Sequence, residues 1–98
     1  MHVMKNNNQP VSVCIAYFEG QEFIEEQLTS LHNDLNASDQ IILVNDSPWI
    51  DLSQLCDKYP FLEYYENPSN IGFVATFSKA ISLAKNNIIF FCDQDDIW

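Results

Sequence analysis

Short apolar runs that alternate with helix-like segments constrain the fold of this 98-residue chain more than any other feature. The predicted strands are Val11–Tyr17, Ile41–Val44, Phe61–Tyr65 and Ile88–Cys92. The predicted helices cover Gln21–Leu35, Leu52–Tyr59 and a segment that opens at Pro68-Ser69-Asn70 and presents an inner face of Phe73, Val74, Phe77, Ala80, Ile81 and Ala84. Near-continuous apolar strands separated by amphipathic helices predict a parallel sheet with helices on both faces.

The β-α-β-α-β-α-β order predicts an α/β, Rossmann-like fold with strand order 3-2-1-4. Right-handed crossovers permit this order, and it places a topological switch between strands one and four. Ligands of such sheets bind beyond the carboxyl ends of the strands at the switch. The residues expected at this edge are Tyr17 and Phe18 after strand one, Asp46 after strand two, and Asp93–Asp96 after strand four.

Composition narrows the function classes. Apolar residues make up 47% of the chain, which is typical of a globular domain, and residues 1–10 form a polar leader before a single domain at 11–98.

The net charge is −10 and there is no arginine, so nucleic acid and anionic membranes are poor partners. No run is long enough for a membrane span, and the start lacks a secretory signal pattern. Three cysteines without a CxxC pattern predict reduced, buried thiols in the cytoplasm.

The segment Asp93-Gln94-Asp95-Asp96 is the strongest local signal. Three carboxylates within four residues repel one another unless a cation binds, and Mg²⁺ or Mn²⁺ prefers oxygen ligands. Asp93 and Asp95 point the same way if the strand continues by one residue. The alternative is a solvated acidic loop. An EF-hand loop is excluded because its glycine and its distal glutamate are missing.

Residues after strands one and two have two interpretations each. Tyr17 and Phe18 could form a base-stacking platform, or both rings could pack in the core or at its rim. Asp46 lies in an ordinary turn sequence, Asn45-Asp46-Ser47-Pro48, yet its carboxylate could accept a hydrogen bond from a nucleobase N–H.

The start of the third helix also has two interpretations. The segment from Asn70 to Gly72 offers backbone N–H groups to an anion, and the alternative is that Asn70 is simply an N-cap. Lys79, the cation on the first half of this helix, is more typical of a solvated side chain than of a phosphate ligand.

Taken together, these stretches resemble the nucleotide-binding half of the family 2 glycosyltransferases, which have the GT-A fold. The matching stretches are VSVCIAYFEGQEFIEEQLTSL, IILVNDSP, NPSNIGFVATFSKAISLA and IIFFCDQDDIW, and they cover nearly all of 11–98. The last stretch looks most like bacterial polysaccharide and rhamnosyltransferase-like enzymes. The resemblance implies a nucleoside-diphosphate sugar as donor, a glycan or polysaccharide as acceptor, and Mg²⁺ or Mn²⁺ as cofactor.

The resemblance also implies roles for single residues. Tyr17 stacks on the nucleobase and Asp46 contacts the base or the ribose. Asp93 and Asp95 match the family's Asp-x-Asp pair, which holds the ribose and the metal, and Asp96 extends that pair. The metal stabilises the leaving diphosphate as a Lewis acid, which suits a chain without arginine.

The sequence departs from the family pattern in three respects. Phe18 stands where asparagine is common, so the loop after strand one is expected to close differently. Asn45 replaces the first residue of the usual Asp-Asp pair, which is expected to weaken recognition of the nucleobase or ribose. The third departure is length, because an inverting transfer needs a carboxylate base and none follows the Asp-x-Asp segment before Trp98. We therefore expect a truncated donor-binding half with little or no transferase activity alone, and a catalytic base beyond Trp98. We expect it in the cytoplasm or at the cytoplasmic face of a membrane, with strand four as an open edge that invites self-association.

Two other classes compete with this interpretation. A haloacid-dehalogenase-like phosphatase also places an Asp-x-Asp after a strand, but Asp96 and the short remaining chain argue against it. A vestigial or non-catalytic α/β module that self-associates is the second alternative. A receiver domain gathers its acidic pair after strand one, where this chain has Glu19 alone.

Overall fold

The computed structural model of the chain describes residues 9–19 and 21–93, and it shows helices and strands in the predicted order. The strands are β1 (Val11–Tyr17), β2 (Gln40–Asn45), β3 (Leu62–Glu66) and β4 (Ile88–Asp93). The helices are α1 (Gln21–Asp34), α2 (Ser53–Lys58) and α3 (Phe73–Leu83). The first strand has the predicted bounds, whereas β2, β3 and β4 each extend one residue further at their carboxyl ends.

The strands form one parallel sheet with the order β3-β2-β1-β4, which confirms the predicted topology. The register pairs Tyr17 with Asn45, Ala16 with Asp93, and Asn45 with Glu66. The four strands therefore end at the same edge of the sheet, which we call the carboxyl edge.

Alternate residues of β1 pack on opposite faces of the sheet, as a strand covered on both sides requires. Val13 and Ile15 belong to a core that α1 and α2 cover through Leu28 and Leu55. Cys14 lies in a second, smaller core on the other face. That core is completed by Ala16, Ile42, Val44 and the α3 residues Phe77 and Ala80. Helices thus cover both faces, as the sequence predicts.

Helix α3 differs from its prediction in both its start and its inner face. It begins at Phe73, three residues after Asn70, because residues 70–72 bind another part of the chain, as described below. Its buried residues are Thr76, Phe77 and Ala80. The predicted core residues Phe73, Val74 and Ile81 are exposed by 59%, 75% and 41% of their surface.

The position of α3 on the sheet explains this exposure. The helix contacts β1 and β2, so only the stripe that faces those two strands is buried. Val74 and Ile81 lie on the flank of that stripe. Phe73 is in the first turn, where its ring contacts the Phe77 ring edge to face at a centroid distance of 4.7 Å.

All three cysteines are thiols; Cys14 and Cys92 are buried, whereas Cys56 is half-buried, contrary to the prediction that all are buried. Burial raises the pKa of Cys14 to about 11, which makes it an unreactive core residue.

Within residues 9–19 and 21–93, no helix combines the length and the apolar character needed to cross a membrane.

Candidate functional site

Backbone hydrogen bonds tie together the turns that follow β1 and β2 at the carboxyl edge. The Asp46 N–H donates to the carbonyl oxygen of Tyr17 at 2.8 Å, and the Glu19 N–H donates to Ser47 Oγ at 3.0 Å. Glu19 has a φ of 52°, in the left-handed region that non-glycine residues seldom adopt. The turn after β1 is therefore held against the turn after β2 in one particular conformation.

Asp46 is the centre of a hydrogen-bond network that we call the Asp46 clamp, formed by Asp46, Asn67, Asn70, Ile71 and Gly72. Its Oδ1 accepts bonds from Asn67 Nδ2 at 2.9 Å and from the Ile71 N–H at 2.8 Å. Its Oδ2 accepts bonds from Asn70 Nδ2 at 2.6 Å and from the Gly72 N–H at 2.9 Å. Asp46 is only 3% exposed. The carboxylate thus joins the turn after β2 to the loop that leads into α3.

The clamp is extended by side chains of α3. Asn67 Nδ2 also lies 3.2 Å from Thr76 Oγ1, and the Thr76 hydroxyl donates to the carbonyl oxygen of Gly72 at 2.6 Å. Lys79 is half-buried, and its Nζ donates to Asn67 Oδ1 at 3.0 Å. Lys79 therefore orients the amide of Asn67 so that its NH₂ group faces Asp46, rather than being a solvated side chain.

The clamp keeps Asp46 ionised. Desolvation by burial raises the pKa of Asp46, but hydrogen bonds from the Ile71 N–H, Asn67 and the Gly72 N–H together outweigh it. The pKa of Asp46 in the folded chain is therefore below its usual value. A permanent negative charge at this position also interacts favourably with the N-terminus of α3.

The clamp changes the interpretation of two predicted site residues. Of the backbone N–H groups of residues 70–72, predicted to be open to an external anion, those of Ile71 and Gly72 donate to the carboxylate of Asp46, as does the side-chain amide of Asn70. The alternative prediction of Asn70 as the N-cap is wrong, because Gly72 is the N-cap of α3, with a φ of 94°. Only glycine adopts that conformation without strain.

Asn45 has a structural role that sequence reasoning missed. It is fully buried; its Nδ2 donates to the carbonyl oxygen of Ile50 at 3.3 Å and to the Tyr64 hydroxyl at 3.0 Å, and its Oδ1 accepts from the Ser47 N–H. The Tyr64 hydroxyl in turn donates to Glu66 Oε1 at 2.8 Å, and burial is the main cause that raises the pKa of Tyr64 to about 12. An aspartate could not donate these two bonds. The asparagine that departs from the Asp-Asp pair therefore has acceptors for its amide in the Ile50 carbonyl oxygen and the Tyr64 hydroxyl.

Aromatic residues at the carboxyl edge divide into a buried ring and an exposed pair. Tyr17 is 0% exposed and belongs to the core beneath α1 and α2, which does not match an open stacking platform. Phe18 and Trp49 are exposed by 42% and 60% of their surface. Their ring centroids are 5.9 Å apart and the ring planes are nearly perpendicular, at 86°. Trp49 was not among the predicted site residues, because one tryptophan in a turn has no recognisable motif.

Of the three predicted metal ligands, only Asp93 falls within the described residues, as the last residue of β4. The backbone of Asp93 ends that strand and pairs with Ala16 of β1. Asp95 and Asp96 lie outside the described residues, and nothing is stated of the Asp93 side chain. Within the described part of the chain, no group of three potential ligands surrounds a metal position.

Comparison with known proteins places the chain in a family of enzymes. The family described as "Glycosyl transferase family 2" matches residues 12–98. The chain therefore belongs to glycosyl transferase family 2, as the sequence resemblance predicts. This membership favours neither a phosphatase nor a non-catalytic module.

Two relatives are much longer than the region they share with this chain. A cholesterol galactosyltransferase of Borreliella burgdorferi is 26% identical over 90 residues, which are 88% of this chain and 25% of that protein. A mannosyltransferase from Pyrobaculum calidifontis, solved in complex with GDP-Man and Mn²⁺, superposes with a TM-score of 0.75 at 19% identity. That match covers 90% of this chain and 28% of the other, and it confirms the GT-A, Rossmann-like fold. The chain thus spans about a quarter of each relative.

Proposed function

We propose that this chain is the donor-binding region of a glycosyltransferase, which binds a nucleoside-diphosphate sugar with the help of Mg²⁺ or Mn²⁺. The observation that carries this proposal is the convergence of β1, β2 and β4 at the carboxyl edge, where the register pairs Ala16 with Asp93. This is the switch point of the sheet, at which α/β proteins of this kind bind their ligands. Family membership and the GT-A fold support the same location.

Three carboxylates following β4 suit a hard divalent cation. Asp93, Asp95 and Asp96 supply oxygen ligands, which Mg²⁺ and Mn²⁺ prefer, and these ions commonly bind a few carboxylates together with substrate phosphates. When bound, such an ion supplies Lewis-acid stabilisation to a leaving diphosphate. The chain has no arginine and a net charge of −10, so a cation is also needed to offset the charge of the diphosphate. The Mn²⁺ in the mannosyltransferase structure supports this assignment.

In this proposal Asp46 and Asn70 act by positioning other groups. Their bonds hold residues 67–72 against the carboxyl edge, so the wall of the donor site is in place before the donor arrives. A preformed site loses less conformational entropy on binding. Direct contact of Asp46 with the base or ribose would require part of the clamp to open.

The remainder of the reaction is proposed from the family. We assign an inverting sugar transfer to a glycan or polysaccharide acceptor, for which a carboxylate must deprotonate the attacking hydroxyl. Because the chain spans about a quarter of its relatives, we place the acceptor site and this base in regions that the chain does not match. The 98 residues alone are then expected to bind donor with little transfer. We propose a cytoplasmic location, which the buried thiols Cys14 and Cys92 support.

The first test is calorimetric titration of the chain with UDP, GDP and dTDP, each with and without Mn²⁺. We expect one nucleotide to bind with Mn²⁺ and to bind much more weakly without it. Asp95→Ala should abolish the metal-dependent part of the affinity. Asp57→Ala, which removes an exposed carboxylate of α2, is the matched control and should bind as the unmodified chain does.

The outcomes separate the parts of the proposal. Binding that needs neither Mn²⁺ nor Asp95 would contradict the metal assignment and leave a nucleotide site. A folded chain that binds none of the three nucleotides, with Mn²⁺ present, would contradict donor binding by this region.

A further inference from the structure

Most of the large apolar side chains that are exposed in this chain lie on or beside α3 and β4. Of the eight such side chains in the described residues, six belong to the segment from Ile71 to Phe91. Four of these form one surface, which we call the α3–β4 face: Phe73, Val74 and Ile81 of α3 and Phe91 of β4. Their exposed fractions run from 41% for Ile81 to 75% for Val74. Side chains of this kind stabilise a protein by burial, so folding of the chain alone does not account for the α3–β4 face.

The α3–β4 face is a step between one flank of α3 and the part of the sheet that α3 leaves open. The helix contacts β1 and β2, so the same face of the edge strand β4 is largely uncovered within the described residues. The ring of Phe91 contacts the ring of Phe77 at a centroid distance of 5.2 Å, which shows that this flank of α3 is directed towards β4. Phe73 and Ile81 lie one turn before and one turn after Phe77, and Val74 lies three residues before it, so these side chains are neighbours on the helix. The exposed apolar side chains are therefore contiguous.

This part of the chain also differs from the rest in charge. Residues 67–92 contain no aspartate or glutamate, whereas the whole chain has 14 acidic residues and a net charge of −10. Lys79 lies on the opposite flank of α3, where it binds Asn67, and Lys85 follows the end of the helix. Two copies that approach each other through acidic surfaces repel one another. The α3–β4 face is a surface on which two copies can meet without bringing carboxylates together.

The size of the α3–β4 face suits a small interface between two copies. An aromatic side chain offers about 200 Å² of surface, so two half-exposed rings and two exposed aliphatic side chains present about 400 Å² of apolar surface. Patches of this size are among the largest on monomeric proteins and are often binding sites. Two such faces, together with the polar groups around them, bury about 1,200 Å² in total, which is the lower limit for a specific interface. We therefore expect a reversible association in the micromolar range.

We propose that the α3–β4 face is the interface of a symmetric dimer, in which α3 of one copy packs over β4 of the other. A two-fold axis brings the same surface of both copies together, so each helix covers the part of the partner's sheet that the partner's own helix leaves open. The contact is made by side chains and does not use the backbone hydrogen-bonding groups along the edge of β4. It therefore differs from the strand-to-strand pairing that an open edge invites. This inference is independent of the proposed donor binding.

The test is sedimentation equilibrium of the chain at concentrations from low micromolar to near millimolar. We expect a monomer–dimer equilibrium that tightens as salt is added, because salt screens the repulsion between two chains of charge −10. Val74→Asp places a charge in the interface and leaves the core intact, since most of the Val74 side chain is exposed. It should weaken dimerisation at least about tenfold, and Phe91→Ser should also weaken it. Gln54→Asp is the matched control, because it adds the same charge at an exposed position of α2, on the other face of the sheet, and should dimerise as the unmodified chain does.

The outcomes separate this interface from other modes of association. A folded chain that stays monomeric up to near-millimolar concentration would overturn the proposal. A dimer that Val74→Asp leaves unchanged would also overturn it, since that dimer forms through another surface, such as the backbone edge of β4. Association that weakens with salt indicates attraction between opposite charges, and association that continues beyond the dimer indicates a head-to-tail contact, so either result would overturn it. Urea denaturation shows whether each variant is folded, and Val74→Asp decides the question if Phe91→Ser does not fold. A chain that dimerises in this way and binds no nucleotide would contradict the proposed function and support this inference.

Discussion

Asp46 and Trp49 lie three residues apart in the same turn, yet one is withdrawn into the fold and the other faces solvent. The carboxylate of Asp46 is 3% exposed and is surrounded by donors from the loop before α3. Trp49 has 60% of its surface exposed and contacts Phe18 across the gap between two turns. Asp46 therefore holds two loops together, whereas most of the Trp49 ring remains in solvent.

The difference shows how the carboxyl edge is organised. A buried carboxylate must be matched by hydrogen-bond donors, and four donors from residues 67–72 surround Asp46. An exposed ring has no such requirement. The Asp46 clamp thus fixes the turn after β2 to the loop before α3, and none of its bonds involves Trp49.

The substitution Asp46→Ala is expected to have the largest effect on the stability of the chain. This change removes the acceptor of the buried Asn67 amide and of the partly buried Ile71 and Gly72 N–H groups, and an unsatisfied buried group costs about 1–3 kcal/mol. We expect the free energy of unfolding to fall by about 3 kcal/mol or more, measured by urea denaturation. That is a large part of the total stability of a domain of this size.

Trp49→Ala is the control that tests the contrast between the two residues. It removes the edge-to-face contact with Phe18, and such a pair contributes about 0.5–1.5 kcal/mol, so we expect the free energy of unfolding to fall by about 1 kcal/mol. Equal losses for Asp46→Ala and Trp49→Ala would break the distinction between a structural clamp and an exposed surface.

The second prediction concerns Asn45→Asp, which restores the residue common in the family. It replaces an amide donor to Ile50 and Tyr64 by a buried carboxylate, so we expect a loss of about 2 kcal/mol at neutral pH. The loss should shrink in acid, because a buried carboxylate with the Ser47 N–H as its main donor is protonated more readily in the folded chain than in the unfolded chain. Asn87→Asp, at an exposed position, is the control and should leave stability unchanged. A stable Asn45→Asp chain at neutral pH would show that the amide is not needed.

The smallest effect is the pH dependence that Asp46 contributes. Hydrogen bonds from Ile71, Asn67 and Gly72 outweigh the desolvation that raises its pKa, so the pKa in the folded chain is below that in the unfolded chain. The resulting stabilisation is complete above the unfolded pKa of about 3.9 and is lost as the pH falls through the folded pKa.

Comparison of the unmodified chain with Asp46→Asn isolates this contribution. The difference in free energy of unfolding between them should decrease as the pH is lowered from 7 to about 3. Other carboxyls with lowered pKa, Glu25 and Asp51, are present in both chains and cancel. A difference that stays constant over this range would show that the charge of Asp46 does not matter.

Much of the fold could be predicted from local pattern. The bounds of β1 and the order of the sheet agree with the sequence prediction, because apolar strands buried on both faces permit few topologies. The same topology correctly brings Tyr17, Asp46 and the end of β4 to one edge. The prediction of a buried Val74 was wrong, because helical spacing does not reveal which strands a helix will contact.

The candidate site was less predictable because its contacts join distant residues. Asp46 and Gly72 were both identified as ligand-binding residues, but the structure pairs them with each other across 26 positions of sequence. A carboxylate and a helix N-terminus attract a ligand and attract each other for the same electrostatic reason. Sequence therefore identified the groups but not the partner that each one binds.

Periodicity and strand propensity sufficed for the elements, the parallel sheet and the family, because these depend on short stretches of chain and on their order. The packing of separate turns at the carboxyl edge decides which polar groups form internal hydrogen bonds. It also decides which aromatic rings remain exposed to solvent. Asp46 is buried because residues 67–72 fold back over it, whereas the ring of Trp49, three residues further along, is mostly exposed and contacts Phe18. Such burial is a property of the assembled fold, since it depends on atoms that are near in space and far apart along the chain.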